Sequence, residues 1–279
     1  MTRTPPRMLV LDLDGTTLLA DGTLDPRDIR AALALRDHGV AVTIATGRLY
    51  SGTCRVAREL GVTGSVAVMN GSELVDVATD RAVHARYVRP GHRGRIREIL
   101  AEGDLVPFLF GSRTIHLGPD RRYTPYLSIW TDDLVHHDDP WACEAWHAAD
   151  LVSVSAVGPE ARLARALEQL HAEFPGEIGG EIFRTWDGDG FLNLRCPSED
   201  KGTALVRLAQ ERGLTAADCV AVGDWTNDLP MLRVAGRSFA MAGADPAAVE
   251  AADEVLESPR HGGGAVAELA VRVWGLNVA

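Results

Sequence analysis

The pentapeptide Asp12-Leu13-Asp14-Gly15-Thr16, placed directly after the apolar run Met8-Leu9-Val10-Leu11, constrains this chain more than any other stretch. A short apolar run closed by a glycine turn reads as a buried strand that leaves its sheet at Gly15. Residues two apart on a strand share a face, so Asp12 and Asp14 are expected to converge on one ligand. Two carboxylates at that distance repel and stay ionised beside a cation, and hard oxygen ligands of this kind suit magnesium. Taken alone, the pattern also fits a calcium loop or a solvated turn.

Three further apolar runs end in complementary polar groups. Residues 40–45 close on Thr46-Gly47-Arg48, residues 66–69 on Asn70-Gly71, and residues 219–222 on Gly223-Asp224-Trp225-Thr226-Asn227-Asp228. In open parallel sheets ligands bind outside the carboxyl ends of the strands, so the four endings are expected to face one crevice. Between them the chain carries helix signals, as parallel strands require of their crossovers. Asp25-Pro26 reads as an N-cap and first-turn proline, with apolar Ile29, Leu33 and Leu35 and a stop at Gly39. Residues 55–60 end at Gly61, residues 202–212 end at Gly213, and Asp245-Pro246 opens a further short helix. The fold class expected is α/β, a Rossmann-like parallel sheet.

The middle of the chain breaks this rhythm. Helix patterns at 94–102 and 160–174 alternate with β-like runs at 105–110 and 151–157. Asp187-Gly188-Asp189-Gly190 sits between runs 181–186 and 191–195 as a hairpin signal. A length of 279 residues allows about two domains at roughly 150 residues each. The expected organisation is a discontinuous core, 1–87 and 197–279, interrupted by an α+β insert, 88–196.

Composition narrows the function classes. With 46% hydrophobic residues the chain can bury an ample core, yet no apolar run approaches the roughly 20 residues of a membrane span. The residues before Met8 lack a signal-peptide pattern, so a cytoplasmic location is expected. The four cysteines, Cys54, Cys143, Cys196 and Cys219, form no Cys-x-x-Cys pair and read as reduced, buried thiols. A net charge of −11 disfavours nonspecific nucleic-acid binding, which needs cationic surface. An anionic small molecule would then need local positive charge, and Lys201, at the start of the helix after the insert, supplies it beside a helix N-terminus.

In this combination the chain resembles the haloacid dehalogenase-superfamily phosphatases, specifically the Cof-type group with an inserted class IIB cap. The family's first motif maps onto Asp12 and Asp14, its second onto Thr46, its third onto Lys201, and its acidic fourth onto Asp224, Asn227 and Asp228. The insert lies between Thr46 and Lys201, where that group carries its cap, and Asn70-Gly71 and Met231 fit positions typical of it. The resemblance implies a magnesium-dependent phosphatase in which Asp12 attacks phosphorus to form an aspartyl-phosphate. Asp14 would protonate the leaving alkoxide and later activate water. The Leu13 carbonyl and the side chains of Asp12, Asp14, Asp224 and Asp228 are the expected Mg2+ ligands. Thr46, Gly47, Arg48, Asn70, Lys201 and Asn227 are the expected substrate-binding residues, with Arg48 either contacting substrate or bracing its loop through a carboxylate and Thr16 orienting Asp14 or the nucleophile's loop. From the insert, Asn193 and Arg184 are the candidate substrate contacts.

Other features have plainer readings. His136-His137-Asp138-Asp139 places ligand types in a row, but adjacent side chains do not close on one ion, so a solvated loop is expected. Gly262-Gly263-Gly264 follows no recognised apolar strand and reads as a flexible loop, and Met231 reads as core. Trp130, Trp141, Trp146 and Trp186 concentrate in the insert and serve either its packing or a sugar ring. The expected substrate is a small phosphomonoester, a sugar or amino-sugar phosphate foremost. Phosphoryl transfer to a second sugar, hydrolysis of a cofactor phosphate such as pyridoxal phosphate or flavin mononucleotide, and noncatalytic binding are the alternatives. The protein is expected to act as a monomer or homodimer without nucleic-acid or membrane partners.

Overall fold

A computed structural model describes residues 5–184 and 188–277. Along the chain the strands are β1 (Met8–Leu11), β2 (Ala41–Ile44), β3 (Ser65–Val68), β4 (Glu73–Asp76), β5 (Arg81–Ala85), β6 (Val106–Phe110) and β7 (Ile115–Leu117). They continue as β8 (Leu134–His136), β9 (Ser153–Gly158), β10 (Gly179–Arg184), β11 (Gly190–Arg195), β12 (Cys219–Gly223), β13 (Arg237–Ala242) and β14 (Glu254–Pro259). The helices are α1 (Pro26–Asp37), α2 (Cys54–Glu59), α3 (Pro90–Glu102), α4 (Thr124–Leu127) and α5 (Glu144–His147). They are followed by α6 (Glu160–Glu173), α7 (Lys201–Gln210), α8 (Leu229–Val234), α9 (Pro246–Ala251) and α10 (Ala265–Trp274). Two compact units result, one of residues 1–47, 53–84 and 200–279, the other of 48–52 and 85–199.

The first unit is an α/β layer structure. Its five-stranded sheet runs β14-β13-β12-β1-β2, all parallel. β1 lies between β2 and β12, so the crossovers leave it in opposite directions and open a crevice at its carboxyl end. β1 and β12 are buried throughout, which suits uninterrupted apolar runs covered on both faces. β3 lies parallel beside β2, as expected, but joins it only by the isolated bridge of Ala45 to Ala67 and by the Thr43 hydroxyl donating to the Ser65 carbonyl, while its other edge pairs antiparallel with β4.

The helices follow their capping residues. Asp25 accepts from the Arg27 amide to cap α1, whose buried face is Asp28, Ala31, Ala32 and Leu35. Of the apolar residues that mark this helix in the sequence, Leu35 is buried and Ile29 and Leu33 are half-buried. Asp28 is fully buried because both of its oxygens serve α10: Oδ2 accepts from the Gly264 amide at 2.8 Å and Oδ1 from the Ala267 amide at 3.0 Å. A carboxylate from one helix thus caps the N-terminus of another, and Gly262-Gly263-Gly264, expected as a flexible loop, is the anchored entry to α10. At α7, Asp200 and Thr203 form a reciprocal capping box.

The second unit is α+β. Its six-stranded sheet, β10-β11-β9-β6-β7-β8, is antiparallel except for the parallel pair of β7 and β8. One face presents Leu109, Val154, Ala156, Leu192 and Leu194 to α3 and α6, which contribute Ile96, Ile99, Leu163 and Leu170. α3 starts one turn before the expected residue 94, with Pro90 in its first turn. The hairpin of β10 and β11 is present, while Trp186 and Asp187 lie outside the described residues. Cys143 and Cys219 are buried, but Cys54 and Cys196 are half-exposed, unlike the sequence expectation. Among the described residues no helix is long and apolar enough to cross a membrane.

The Asp28 cap yields a stability prediction. Asp28→Ala leaves two helix N-terminal amides without their acceptor and should lower the unfolding free energy by about 2–6 kcal/mol, at about 1–3 kcal/mol for each orphan. Asp28→Asn, which keeps one acceptor oxygen, should lose about half as much; urea melts of the three proteins measure it.

Candidate active site

The carboxyl ends of β1 and β12 bring the decisive side chains together. Asp12, Asp224 and Asp228 are all buried, and each contributes a carboxylate oxygen to a cluster within 4.8 Å. Lys201, in the first turn of α7 and 1% exposed, sends its ammonium between two of them, 2.6 Å from Asp12 Oδ1 and 2.6 Å from Asp228 Oδ1. The second oxygen of Asp228 accepts from the amides of Asp224 and Trp225 at 2.9 and 3.0 Å, which ties the β12 loop around it. Asp224 is held from two sides, accepting from the Thr16 hydroxyl at 3.0 Å and from Arg260 Nε at 2.5 Å. Thr17 donates to the Asp12 carbonyl at 2.6 Å and braces the loop from below.

Gly15 is what allows this closeness. Its φ is +84°, and a Cβ there would lie 2.3 Å from Asp224 Oδ2, so both backbone conformation and space exclude a side chain. Asn70 has left-handed backbone as well, at φ 52°, and accepts at 3.0 Å from Asn227. Its own amide donates to the Thr46 carbonyl at 2.9 Å, so β2, β3 and the β12 loop meet on these three residues.

The sequence expectation for Asp14 needs correcting. β1 ends at Leu11, and Asp14 lies in a turn in which the Leu13 carbonyl accepts from the amides of Thr16, Thr17 and Leu18. Strand alternation therefore does not align Asp14 with Asp12. The Asp14 carboxylate stands outside the three-carboxylate cluster, although it is near enough to act on the charge of Asp12. The Leu13 carbonyl is committed to the turn and is withdrawn as a metal ligand. Arg184 is also misplaced in the sequence reading. It is in phase with Ile182, which packs toward the helices, and its exposed side chain pairs with Glu160 at 3.3 Å.

Asn193 lies on the other face of the second unit's sheet, 5% exposed, and accepts from the Ser153 hydroxyl at 2.6 Å. Arg48 opens the segment 48–52, which packs with this second unit through Leu49 and Ser51 to Trp130 and Arg113. Three of the insert's tryptophans make packing contacts: Trp141 meets Trp146 edge-on at 4.6 Å, and Trp130 meets Phe191 edge-on at 4.9 Å. Met231 is fully buried in the core of the first unit, as expected. Arg260 was not foreseen. Its signal is the turn after β14, which ends at the same edge of the sheet as the motif strands.

The charge balance of the cluster is unusual. Burial, and then Asp228, push the Asp12 carboxyl well above the ordinary carboxylate range, and Lys201 only partly opposes them. Burial and Asp228 likewise raise Asp224 against the pull of Arg260 and Thr16. Burial works against the Lys201 charge, yet Asp12 and Asp228 outweigh it and hold the ammonium above its ordinary value. Lys201 stabilises ionised Asp12 while the remaining carboxylates destabilise it. The direction for Asp12 is therefore upward, because burial comes first and the neighbouring carboxylates add to it against Lys201 alone.

The chain matches the sequence pattern of the haloacid dehalogenase-like hydrolases over residues 9–269. It belongs to that family. Among its relatives, the HMP-PP phosphatase of Serratia proteamaculans is 26% identical over 86% of this chain and 85% of that protein. The phosphoglycolate phosphatase of Haloarcula marismortui is 30% identical over 91% and 92%. A crystal structure of a Thermotoga maritima protein shares the fold, with a TM-score of 0.79 and 22% identity over 96% of this chain and 97% of that one. The family membership and fold class drawn from the four motifs therefore hold, as does phosphoric monoester hydrolysis as the reaction class.

Lys201→Met would leave Asp12 and Asp228 buried without their cation. Breaking a buried pair this way costs about 3–5 kcal/mol, which urea melts at neutral pH should show. Burial and Asp228 already raise the Asp12 carboxyl and the variant lacks the ammonium that opposes them, so the native state gains a proton at Asp12 and the deficit should shrink as pH falls through that raised value.

Proposed function

We propose that this protein is a magnesium-dependent phosphatase of small phosphomonoesters, a sugar or amino-sugar phosphate foremost, working through an aspartyl-phosphate at Asp12. The observation that carries the reading is the Lys201 ammonium bridging Asp12 and Asp228, with Asp224 in the same buried cluster. Three carboxylates against one ammonium and one guanidinium leave negative charge in a desolvated site, and an all-oxygen donor set suits a hard divalent cation. Asp12, Asp224 and Asp228 would hold Mg2+, which would offset the charge repulsion between nucleophile and phosphate when bound.

The protein groups have separable tasks. Lys201 holds one oxygen of Asp12 and favours its ionised form, and the other oxygen of Asp12 is the nucleophile toward phosphorus. Asp14, on the turn beyond the cluster, protonates the leaving alkoxide and then takes a proton from the attacking water. Thr46, Gly47, Asn70 and Asn227 form the polar wall where β2 and β3 end and receive the phosphoryl oxygens; Lys201 contributes its charge there. Thr16 and Arg260 fix Asp224.

A panel of sugar, nucleotide and cofactor phosphates assayed for phosphate release with and without Mg2+ tests this reading. Asp12→Asn should lose at least about 10³-fold in turnover while still folding and unfolding cooperatively, because a carboxamide cannot form the acyl-phosphate. Retention of turnover by that variant would remove the proposal. A second test uses protonation. Because Asp12 sits above the ordinary carboxylate range without a metal, Mg2+ binding should expel a proton, and Mg2+ affinity should rise with pH until Asp12 is ionised. Calorimetric titrations in buffers of different ionisation enthalpy should therefore give different apparent heats; identical heats would contradict it.

A further inference from the structure

The second unit holds a group of metal-type ligands that the phosphatase chemistry does not use. His116 lies on β7, and His137 directly follows β8, its amide donating to the Leu117 carbonyl at 2.9 Å. The parallel register of β7 and β8 sets His116 opposite Val135 and Leu117 opposite His136, which brings the two rings into a near-parallel stack with centroids 5.2 Å apart. His116 Nδ1 and His137 Nε2 are 3.0 Å apart. Cys143, 8% exposed, stands at the junction of the 3₁₀ turn Pro140–Ala142 and α5, and Asp139 caps that turn by accepting from the Trp141 amide. One ligand atom from each of His116, His137 and Cys143 lies within 4.8 Å of the other two.

These three residues come from separate stretches, so the objection that neighbours in His136-His137-Asp138-Asp139 cannot share an ion does not apply to them. His136 turns away, its Nδ1 facing the Gly118 carbonyl at 2.9 Å. Zinc bonds of about 2.0–2.1 Å to nitrogen and about 2.3 Å to sulfur place tetrahedral ligand atoms roughly 3.3–3.6 Å apart. The two imidazole nitrogens are 3.0 Å apart and every ligand-atom separation in the group is within 4.8 Å, so small side-chain rotations would bring the set to that spacing. Two imidazoles and a thiolate are borderline-soft donors that select zinc over magnesium, the opposite preference to the all-oxygen cluster of the first unit.

We propose that His116, His137 and Cys143 form a second metal site in this protein, binding Zn2+ with a water in the fourth position and fastening the three-residue strands β7 and β8 to the 140–147 segment. No residue of the site belongs to the Asp12, Asp224 and Asp228 cluster. Its rival is a hydrogen bond between two imidazoles with an unrelated thiol nearby.

The test is titration of the full-length, chelator-treated protein with Co2+ alone, followed in the visible and near-ultraviolet. The site requires tetrahedral d–d absorption together with a thiolate-to-cobalt charge-transfer band that Zn2+ displaces. Cys143→Ser should abolish the charge-transfer band. His116→Gln and His137→Gln should each weaken Co2+ binding by at least about 100-fold, more than the roughly 10–100-fold effect of losing an outer-shell partner. Asp12→Asn should leave the band intact, which separates this site from the acidic cluster. Absence of a thiolate band from the parent protein overturns the proposal whatever the variants do, and so does its survival in Cys143→Ser.

Discussion

A lysine ammonium placed between two buried carboxylates organises the first unit. Lys201 could not remain charged at 1% exposure without Asp12 and Asp228, and they could not remain side by side without it. Much of the surrounding structure serves that arrangement. The capping box of Asp200 and Thr203 fixes the first turn of α7, where Lys201 sits, and the amides of Asp224 and Trp225 hold Asp228. Gly15 leaves the space that Asp224 fills. The same arrangement leaves negative charge uncompensated, which makes it receptive to a divalent cation and then to a phosphate.

Asp12, Thr46, Asn70, Asp224, Asn227 and Asp228 were legible because each follows an apolar run, and parallel strands deliver their carboxyl ends to one edge. Lys201 was legible instead from its place at the start of the helix after the insert. The local geometry of Asp14 was not. Strand periodicity was extended one turn too far, whereas the chain already folds back on the Leu13 carbonyl. Arg184 failed for a related reason, since the phase of β10 decides which face it takes and short strands carry little phase information.

The strands β13 and β14 and the helix α10 had weak local signals. β14 alternates half-exposed residues as an edge strand does, and α10 starts at Gly264 with no capping side chain of its own. Its cap is Asp28, 236 positions away, so neither the helix start nor the burial of an acidic residue in α1 could be read from neighbouring sequence. Arg260 shares that limitation: only the assembled sheet brings the turn after β14 to Asp224. In the second unit the approach of His116, His137 and Cys143 likewise depends on the register of β7 and β8, which no spacing in the sequence encodes.

The central claim is that Asp12 becomes phosphorylated during turnover, and chemical trapping tests it most directly. Enzyme quenched while hydrolysing a phosphomonoester would be reduced with borohydride, which converts an acyl-phosphate to the alcohol, and then mapped by peptide mass spectrometry. The account predicts homoserine at position 12 and nowhere else. Unmodified Asp12 in an enzyme that is turning over, or a label at another carboxylate, would contradict it.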